Sequence, residues 1–183
     1  MNIIETKRLI LKEYSINNIP ELNIILSDPI TMKFWPSPFT PQQTESWIDN
    51  NIARYKNLGF GRWAVILKDS GKLIGDCGIM VSEIDGKQEN DLGYIFHHPF
   101  WHKGYAVEAA DACKEYAFNS LGINRLCANM AFDHEASRRV AEKIGIKKEK
   151  EFLNSRNRNF LTYVYSISRA DYLQSTQDQL KTS

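Results

Sequence analysis

Apolar and polar positions along the chain fall into short alternating runs separated by a few stretches of helical period. Residues 3–12 open with β-branched and apolar side chains and end before the polar segment 15–18, which predicts one strand and then a turn. Pro20 suits the first turn of a helix carrying Leu22, Ile25 and Leu26 on one face, and Asp28-Pro29 ends it. Residues 32–39 have neither period and are rich in aromatics and prolines, so they form a loop. Thr40-Pro41-Gln42-Gln43 combines a cap threonine, a proline at the first helical position and a glutamine three residues after the cap. Trp47, Ile48, Ile52, Tyr55 and Leu58 then recur at helical spacing until Gly59 supplies the stop.

The middle of the chain reads as sheet. Residues 62–68 and 72–81 are strands joined by the hairpin signal Asp69-Ser70-Gly71, and Asp85-Gly86-Lys87 leads into a third strand at 91–97, giving an antiparallel meander. After a bend at Pro99, Ala106, Ala109 or Ala110, Cys113, Tyr116 or Ala117 and Leu121 trace one face of a helix that stops at Gly122. Residues 125–132 form a strand reached through that helix, so it can lie parallel to strand 91–97. Asp133 is positioned to cap a further helix with Ala136, Val140 and Ile144 facing inward and Gly145 as its stop. Residues 147–152 and 160–167 pair across Asn154-Ser155-Arg156-Asn157. The polar stretch after Tyr172 reads as a frayed or disordered tail. No repeat or linker divides the chain. The expectation is a single domain over residues 1–172 with a tail at 173–183. Its class is mixed α/β (α+β), a largely antiparallel central sheet with one parallel pair and about four flanking helices.

Composition narrows the function classes. The 183 residues are 43% hydrophobic, enough for a core without staples, which excludes a disordered chain. Lys and Arg number 23 against 22 Asp and Glu, so there is no overall signal for a nucleic-acid partner. Cys77, Cys113 and Cys127 lack metal-ligand spacing and read as buried free thiols in a reducing compartment. The absence of a signal-peptide core and of an apolar run near the roughly 20 residues of a membrane span predicts a cytoplasmic protein with no membrane partner.

Candidate chemistry gathers around residues 91–110. A strand, a bend and a glycine-containing loop open directly into an Ala-rich helix, where free backbone N–H groups and the helix dipole favour a phosphate. Trp35, in the aromatic loop, is a candidate wall of a substrate pocket, with simple packing on the core as the alternative. His98 and His102 have the spacing of two helical zinc ligands, but Pro99 interrupts that helix, so no metal is expected. Glu108 reads as a partner of the helix dipole. No Walker phosphate loop is present.

Trp101-His102-Lys103-Gly104-Tyr105-Ala106 resembles the Gln/Arg-x-x-Gly-x-Gly/Ala loop of the GCN5-related N-acetyltransferases (GNAT), in the tryptophan-led form of the ribosomal-protein and N-terminal acetyltransferase branch (RimJ/RimL-like). Ala136-Ser137-Arg138-Arg139-Val140-Ala141-Glu142-Lys143-Ile144-Gly145 is similar to that family's Asn-x-x-Ser…Glu-Lys-x-Gly-Phe helix. Glu5-Thr6-Lys7-Arg8-Leu9 and Gly71-Lys72-Leu73-Ile74-Gly75 also match the branch, so the likeness covers nearly the whole chain.

The resemblance implies acetyl-CoA as cosubstrate and an amine acceptor. The amides of His102, Lys103, Gly104, Tyr105, Ala106 and Val107 would cradle the pyrophosphate, with Gly104 allowing close approach and Lys103 adding charge at the rim. The strand before the loop would splay from its parallel neighbour, and the pantetheine arm would pair with Ile95, Phe96 and His97 across from residues 125–132. Backbone N–H groups at a bulge near Phe96 would hold the oxyanion. His134 stands where the family has asparagine, as part of its role, and Ile146 where it has phenylalanine. The family's acid tyrosine would fall near Ala141, which leaves Ser137 to protonate or hydrogen-bond the departing sulfur. Asp91 stands where relatives carry a glutamate that takes the amine proton, directly or through water, against a solvated turn carboxylate as the alternative. An α-amine of pKa about 8 is roughly a tenth neutral at pH 7 and a lysine amine only about 0.04%, so an N-terminal acceptor needs less help. Possible acceptors are a protein N-terminus or a small amine such as a polyamine, amino sugar or antibiotic. A CoA-binding module without turnover is the alternative from another class, and the assembly is a monomer or homodimer.

Overall fold

The segment expected as one opening strand is two. In the computed structural model, which describes residues 1–182 and their side chains through residue 178, β1 (Asn2–Glu5) and β2 (Leu9–Lys12) form a hairpin. Thr6 closes it from both sides, its N–H reaching the Leu9 carbonyl at 3.0 Å and its Oγ1 accepting from the Leu9 N–H at 3.0 Å. A threonine hydroxyl thus supplies the turn that no Gly or Pro announces.

The helix after it, α1 (Ile19–Leu26), and α2 (Pro41–Leu58) follow the expected boundaries. Thr40 Oγ1 accepts from the Gln43 N–H at 3.2 Å, the Gln43 side chain accepts from the Thr40 N–H at 2.8 Å, and Gly59 takes φ 78° at the far end. Strands β3 (Arg62–Leu67), β4 (Leu73–Ile84) and β5 (Lys87–Phe96) form the meander. Helix α3 (Tyr105–Asn119), β6 (Arg125–Ala131), α4 (Glu135–Lys143), β7 (Lys147–Asn154) and β8 (Phe160–Ser168) complete the family of elements.

The eight strands form one sheet in the order β1-β2-β3-β4-β5-β6-β8-β7, antiparallel except for β5 and β6. Side-chain alternation divides the core between its two faces. Leu9, Leu11, Trp63, Val65, Cys77 and Leu92 pack with the small inner face of α3, Ala109, Ala110, Cys113 and Ala117. Ala64, Ile66 and Ile95 pack with Leu22, Ile25, Leu26 and Ile48 of α1 and α2. The cysteines are buried free thiols, with Cys77 and Cys113 meeting at 3.6 Å between β4 and α3.

β5 and β6 are in register only at Asp91 and Cys127 among the described residues, and beyond that pair they part into a wedge. Register with β4 is uninterrupted from Lys87 opposite Ile84 to Phe96 opposite Gly75, so the bulge expected near Phe96 does not form. Strand β5 can leave β6 without one because the single parallel pair lies mid-strand at Asp91, with five residues of β5 still to follow.

Two further expectations change. Helix α4 is capped by His134 rather than Asp133, and Val140 and Ile144 face inward as expected, whereas Ser137 and Ala141 take the inward place of Ala136, which is exposed. The stretch expected as a tail is helical, α5 (Arg169–Thr182). Tyr172 anchors it, stacking on Phe118 at 4.8 Å between centroids and accepting from Asn119 Nδ2 at 2.9 Å. Its exposed residues 173–178 carry the polar pattern that resembles a tail, and Ser183 lies outside the described residues. No described helix is long and apolar enough to cross a membrane.

Candidate active site

A cavity of about 700 Å³ lies between the end of β5, the start of α3 and the first turns of α4. At that start Gly104 takes φ 79° and His102 φ 62°, so the chain turns sharply into the helix. Helix geometry leaves the N–H groups of Gly104, Tyr105, Ala106 and Val107 without intrahelical acceptors. The first bond of α3 is from the Glu108 N–H to the Gly104 carbonyl, at 3.1 Å.

Two contacts hold this loop. Trp101 Nε1 donates to the Phe96 carbonyl at 2.6 Å, pinning the loop to the end of β5. Glu108 accepts from Thr6 Oγ1 at 2.6 Å, the Arg8 N–H at 2.8 Å and Arg8 Nε at 2.6 Å. Burial alone would raise the Glu108 pKa, but these donors keep it lowered. Arg8 reaches on to the Lys103 carbonyl at 2.9 Å and lies 4.4 Å from the Tyr105 ring centroid. Glu108 is therefore an anchor for the β1–β2 turn rather than a simple dipole partner, and Arg8 is a support that only the fold reveals.

The cavity brings together Trp35, Ile95, Phe96, His102, Gly104, Tyr105, Ala106, Val107, His134 and Ser137. Lys103, His97 and Asp91 do not border it. Lys103 instead sets its ammonium 5.4 Å from the Phe100 ring centroid. The His97 N–H donates to the Ile74 carbonyl of β4 at 3.0 Å. Because strand backbone groups alternate, those of Ile95 also face β4, while those of Tyr94 and Phe96 face the wedge. The backbone positions open to a ligand are thus shifted by one from the expected Ile95 and His97, and Phe96 has its carbonyl occupied by Trp101.

Asp91 sits at the closed vertex of the wedge. Its Oδ1 accepts from Asn129 Nδ2 at 3.1 Å. Burial raises its pKa to about 6, against the lowering pull of Arg62 and Asn129. Arg62 itself is buried in an ion pair with Asp76, which also accepts from Tyr14 Oη at 2.7 Å and Trp47 Nε1 at 3.0 Å. The guanidinium lies so close over Gly93 that a Cβ there would come within 1.8 Å of Nη1. A lone aspartate between Gly75 and Cys77 in an apolar strand is the sequence signal for this network.

On the other wall, Ser137 Oγ donates to Tyr94 Oη at 3.0 Å, and Tyr94 Oη donates to the Ser137 carbonyl at 2.9 Å. His134 Nδ1 accepts from the Ser137 N–H at 3.4 Å. Burial and then Lys33 lower its pKa to about 4, so the ring is neutral near pH 7. Phe34 stacks on this imidazole, and its carbonyl accepts from Asn157 Nδ2 at 3.1 Å. Trp35 packs edge-on against Phe39 and Trp47, so it both joins the core and borders the cavity.

His98 pairs with Asp28 rather than with His102, Nδ1 to Oδ2 at 2.7 Å. Asp28, His97 and His98 have ligand atoms within 4.8 Å of one another, the one such group among the described residues. The Asp28 Oδ2 already accepts from His98 and from both the N–H and Oγ1 of Thr31. This cluster ties the end of α1 to the end of β5.

Residues 8–147 match the model of the acetyltransferase (GNAT) domain. The chain belongs to the GNAT acetyltransferase family. This acetyltransferase is 30% identical over 173 residues to the uncharacterised N-acetyltransferase YnaD of Bacillus subtilis (strain 168), covering 92% of this chain and 98% of that one. It is similar to a GNAT-family acetyltransferase structure from Bacillus anthracis, with TM-score 0.77, 27% identity and coverage of 91% and 98%. It shares its fold with RimL, described as a ribosomal L7/L12 alpha-N-protein acetyltransferase in complex with coenzyme A, at TM-score 0.71, 16% identity and coverage of 92% and 98%. The acetyltransferase thus has the expected architecture, a mostly antiparallel sheet opened at one parallel pair.

Proposed function

We propose that this acetyltransferase moves an acetyl group from acetyl-CoA to a protein N-terminal α-amine by direct attack. The observation that carries the reading is one continuous cavity joining the start of α3 to the end of β5 and the first turns of α4, beyond the point where β5 parts from β6. The N–H groups of Gly104, Tyr105, Ala106 and Val107 would receive the pyrophosphate, with His102 and Lys103 at the rim. Backbone groups of Tyr94 on the wedge side would pair with the pantetheine arm, and the Phe96 N–H would face the thioester oxygen. Ser137 stands on the opposite wall, where the leaving sulfur would come. RimL, with the same fold, holds coenzyme A.

Asp91 would accept the amine proton. It is three residues before Tyr94, about 10 Å along an extended strand, so the proton would travel through water. Its pKa of about 6 lies about 2 below that of an α-ammonium and more than 4 below that of lysine, which favours an N-terminal acceptor. A second reading, a small amine such as a polyamine, is favoured by the Phe34–His134 stack, which narrows the acceptor side of the cavity.

The test is thiol release from acetyl-CoA with N-terminal peptides and small amines side by side. Turnover with peptides supports the proposal, turnover with small amines alone selects the second reading, and release with neither overturns both. Acetyl-CoA should raise the melting temperature of the wild-type protein but not of Gly104→Glu, whose side chain would meet a left-handed φ of 79° and repel phosphate.

A further inference from the structure

Ala141, near where the resemblance puts the family's acid tyrosine, has no acid function, but a tyrosine on another element reaches Ser137 one turn earlier in α4. Tyr94 leaves β5 on the sheet face that packs with α3, borders the cavity, and sets its Oη 3.0 Å from Ser137 Oγ and 2.9 Å from the Ser137 carbonyl. We infer that Tyr94 is the proton donor for the departing CoA thiolate, acting through the Ser137 hydroxyl. The inference rests on the proposed acetyl transfer.

The chemistry requires two hydroxyls. An alkyl hydroxyl is too weak an acid to surrender its proton to a thiolate unless its own oxygen is resupplied at the same moment. A phenol, with an ordinary pKa of about 10 against about 8.5 for a thiol, is close enough to supply it. Burial raises the Tyr94 pKa further, against the opposing bond from Ser137. Both hydroxyls lie at the first turn of α4, where the helix dipole favours the anion that is left behind.

The step balances as follows. The amine nitrogen bonds to the thioester carbon, the tetrahedral intermediate collapses, and the C–S bond breaks with its electron pair on sulfur. The Ser137 proton goes to sulfur while the Tyr94 proton goes to Ser137 Oγ. The amine proton leaves through Asp91 and water, and the Tyr94 phenolate takes a proton from solvent once products depart. For transfer to occur the Ser137 hydroxyl turns its proton from Tyr94 Oη to the sulfur and the Tyr94 hydroxyl turns from the Ser137 carbonyl to Oγ, each a rotation about a C–O bond.

The experiment compares two acyl donors, acetyl-CoA and the S-acetyl ester of an acidic aryl thiol. The acceptor is a serine-initiated peptide or spermidine, whichever the wild type acetylates. With acetyl-CoA, Tyr94→Phe should lower turnover about 100-fold while leaving CoA affinity within about twofold. With the aryl thioester, whose thiolate leaves unprotonated, the deficit should shrink below about threefold. Ser137→Ala should show the same donor dependence, and the double variant should be no slower than the worse single one. Equal losses with both donors would mean that Tyr94 is structural, and unchanged turnover with acetyl-CoA would mean that it is idle; either overturns the relay alone. A wild type inactive on every acceptor overturns the relay together with the proposed function.

Discussion

Phe34 and His134 stack with ring centroids 3.7 Å apart and 15° between their planes. The contact joins the loop between α1 and α2 to the cap of α4, so the acceptor side of the cavity and the Ser137 turn move as one. Removing the ring should loosen the loop without touching the α3 end. Phe34→Ala is expected to raise KM for the amine about fivefold to tenfold, leave KM for acetyl-CoA near the wild-type value, and cost about 1 kcal/mol of stability. Steady-state kinetics with each substrate varied in turn checks the split.

The base role proposed for Asp91 predicts an acid limb in the activity profile. A base of pKa about 6 is mostly protonated at pH 5 and mostly ionised above pH 7, so kcat/KM should rise across that interval and flatten. Asp91→Asn should remove the limb and lower activity at every pH.

Stability should run the other way. The folded Asp91 pKa is raised from 3.8 to about 6, so folding favours the protonated form. The associated stability is present below about pH 4 and is lost as pH rises through 6. At pH 7.5 the wild type therefore carries a crowded, ionised carboxylate that Asp91→Asn lacks. The variant should melt higher by an amount equivalent to about 1 kcal/mol, an advantage that disappears near pH 4. Thermal melts of both proteins at the two pH values test the sign.

Much of this architecture is legible in the chain because it is written locally. Thr40, Gln43 and Gly59 meet one another or the helix they bound within one turn, and their spacing alone predicts both ends of α2. The loop before α3 is equally local. The rest depends on partners far away in sequence. Tyr94 lies 43 residues from Ser137 and Arg8 lies 100 from Glu108, so no spacing joins them. Arg62 and Asp76 read as ordinary strand charges until the sheet places them under α2 with Gly93 beside them. The cap at His134 is obscured by Asp133, a better capping residue type one position earlier. The helical register that decides between them is set by packing of Val140 and Ala141 on the sheet.

The Arg62–Asp76 pair should be far costlier to break than to replace. Both side chains are almost fully buried, and Asp76 also accepts from Tyr14 and Trp47. Arg62→Met leaves a buried carboxylate without its cation and should cost about 3–5 kcal/mol. Adding Asp76→Asn, which keeps acceptors for Tyr14 and Trp47 but removes the charge, should recover a large part of that loss. Chemical denaturation of the two single variants and the double variant measures the coupling.

Arg8 tests whether loop order alone supports the α3 end of the site. Its guanidinium bonds Glu108 and the Lys103 carbonyl and covers the Tyr105 ring, yet it does not border the cavity. Arg8→Ala should therefore act through loop position rather than through lost charge against the ligand. Acetyl-CoA affinity is expected to fall about fivefold to tenfold with kcat within about twofold of wild type, since Ser137 and Tyr94 stand on other elements. Glu108→Gln removes the same ion pair from the opposite partner while keeping a side chain that can accept from Thr6 and the Arg8 N–H. It should weaken acetyl-CoA less than Arg8→Ala does. If Arg8 instead met the phosphates directly, Glu108→Gln would free it and tighten binding, an outcome that titration calorimetry with acetyl-CoA distinguishes by direction alone.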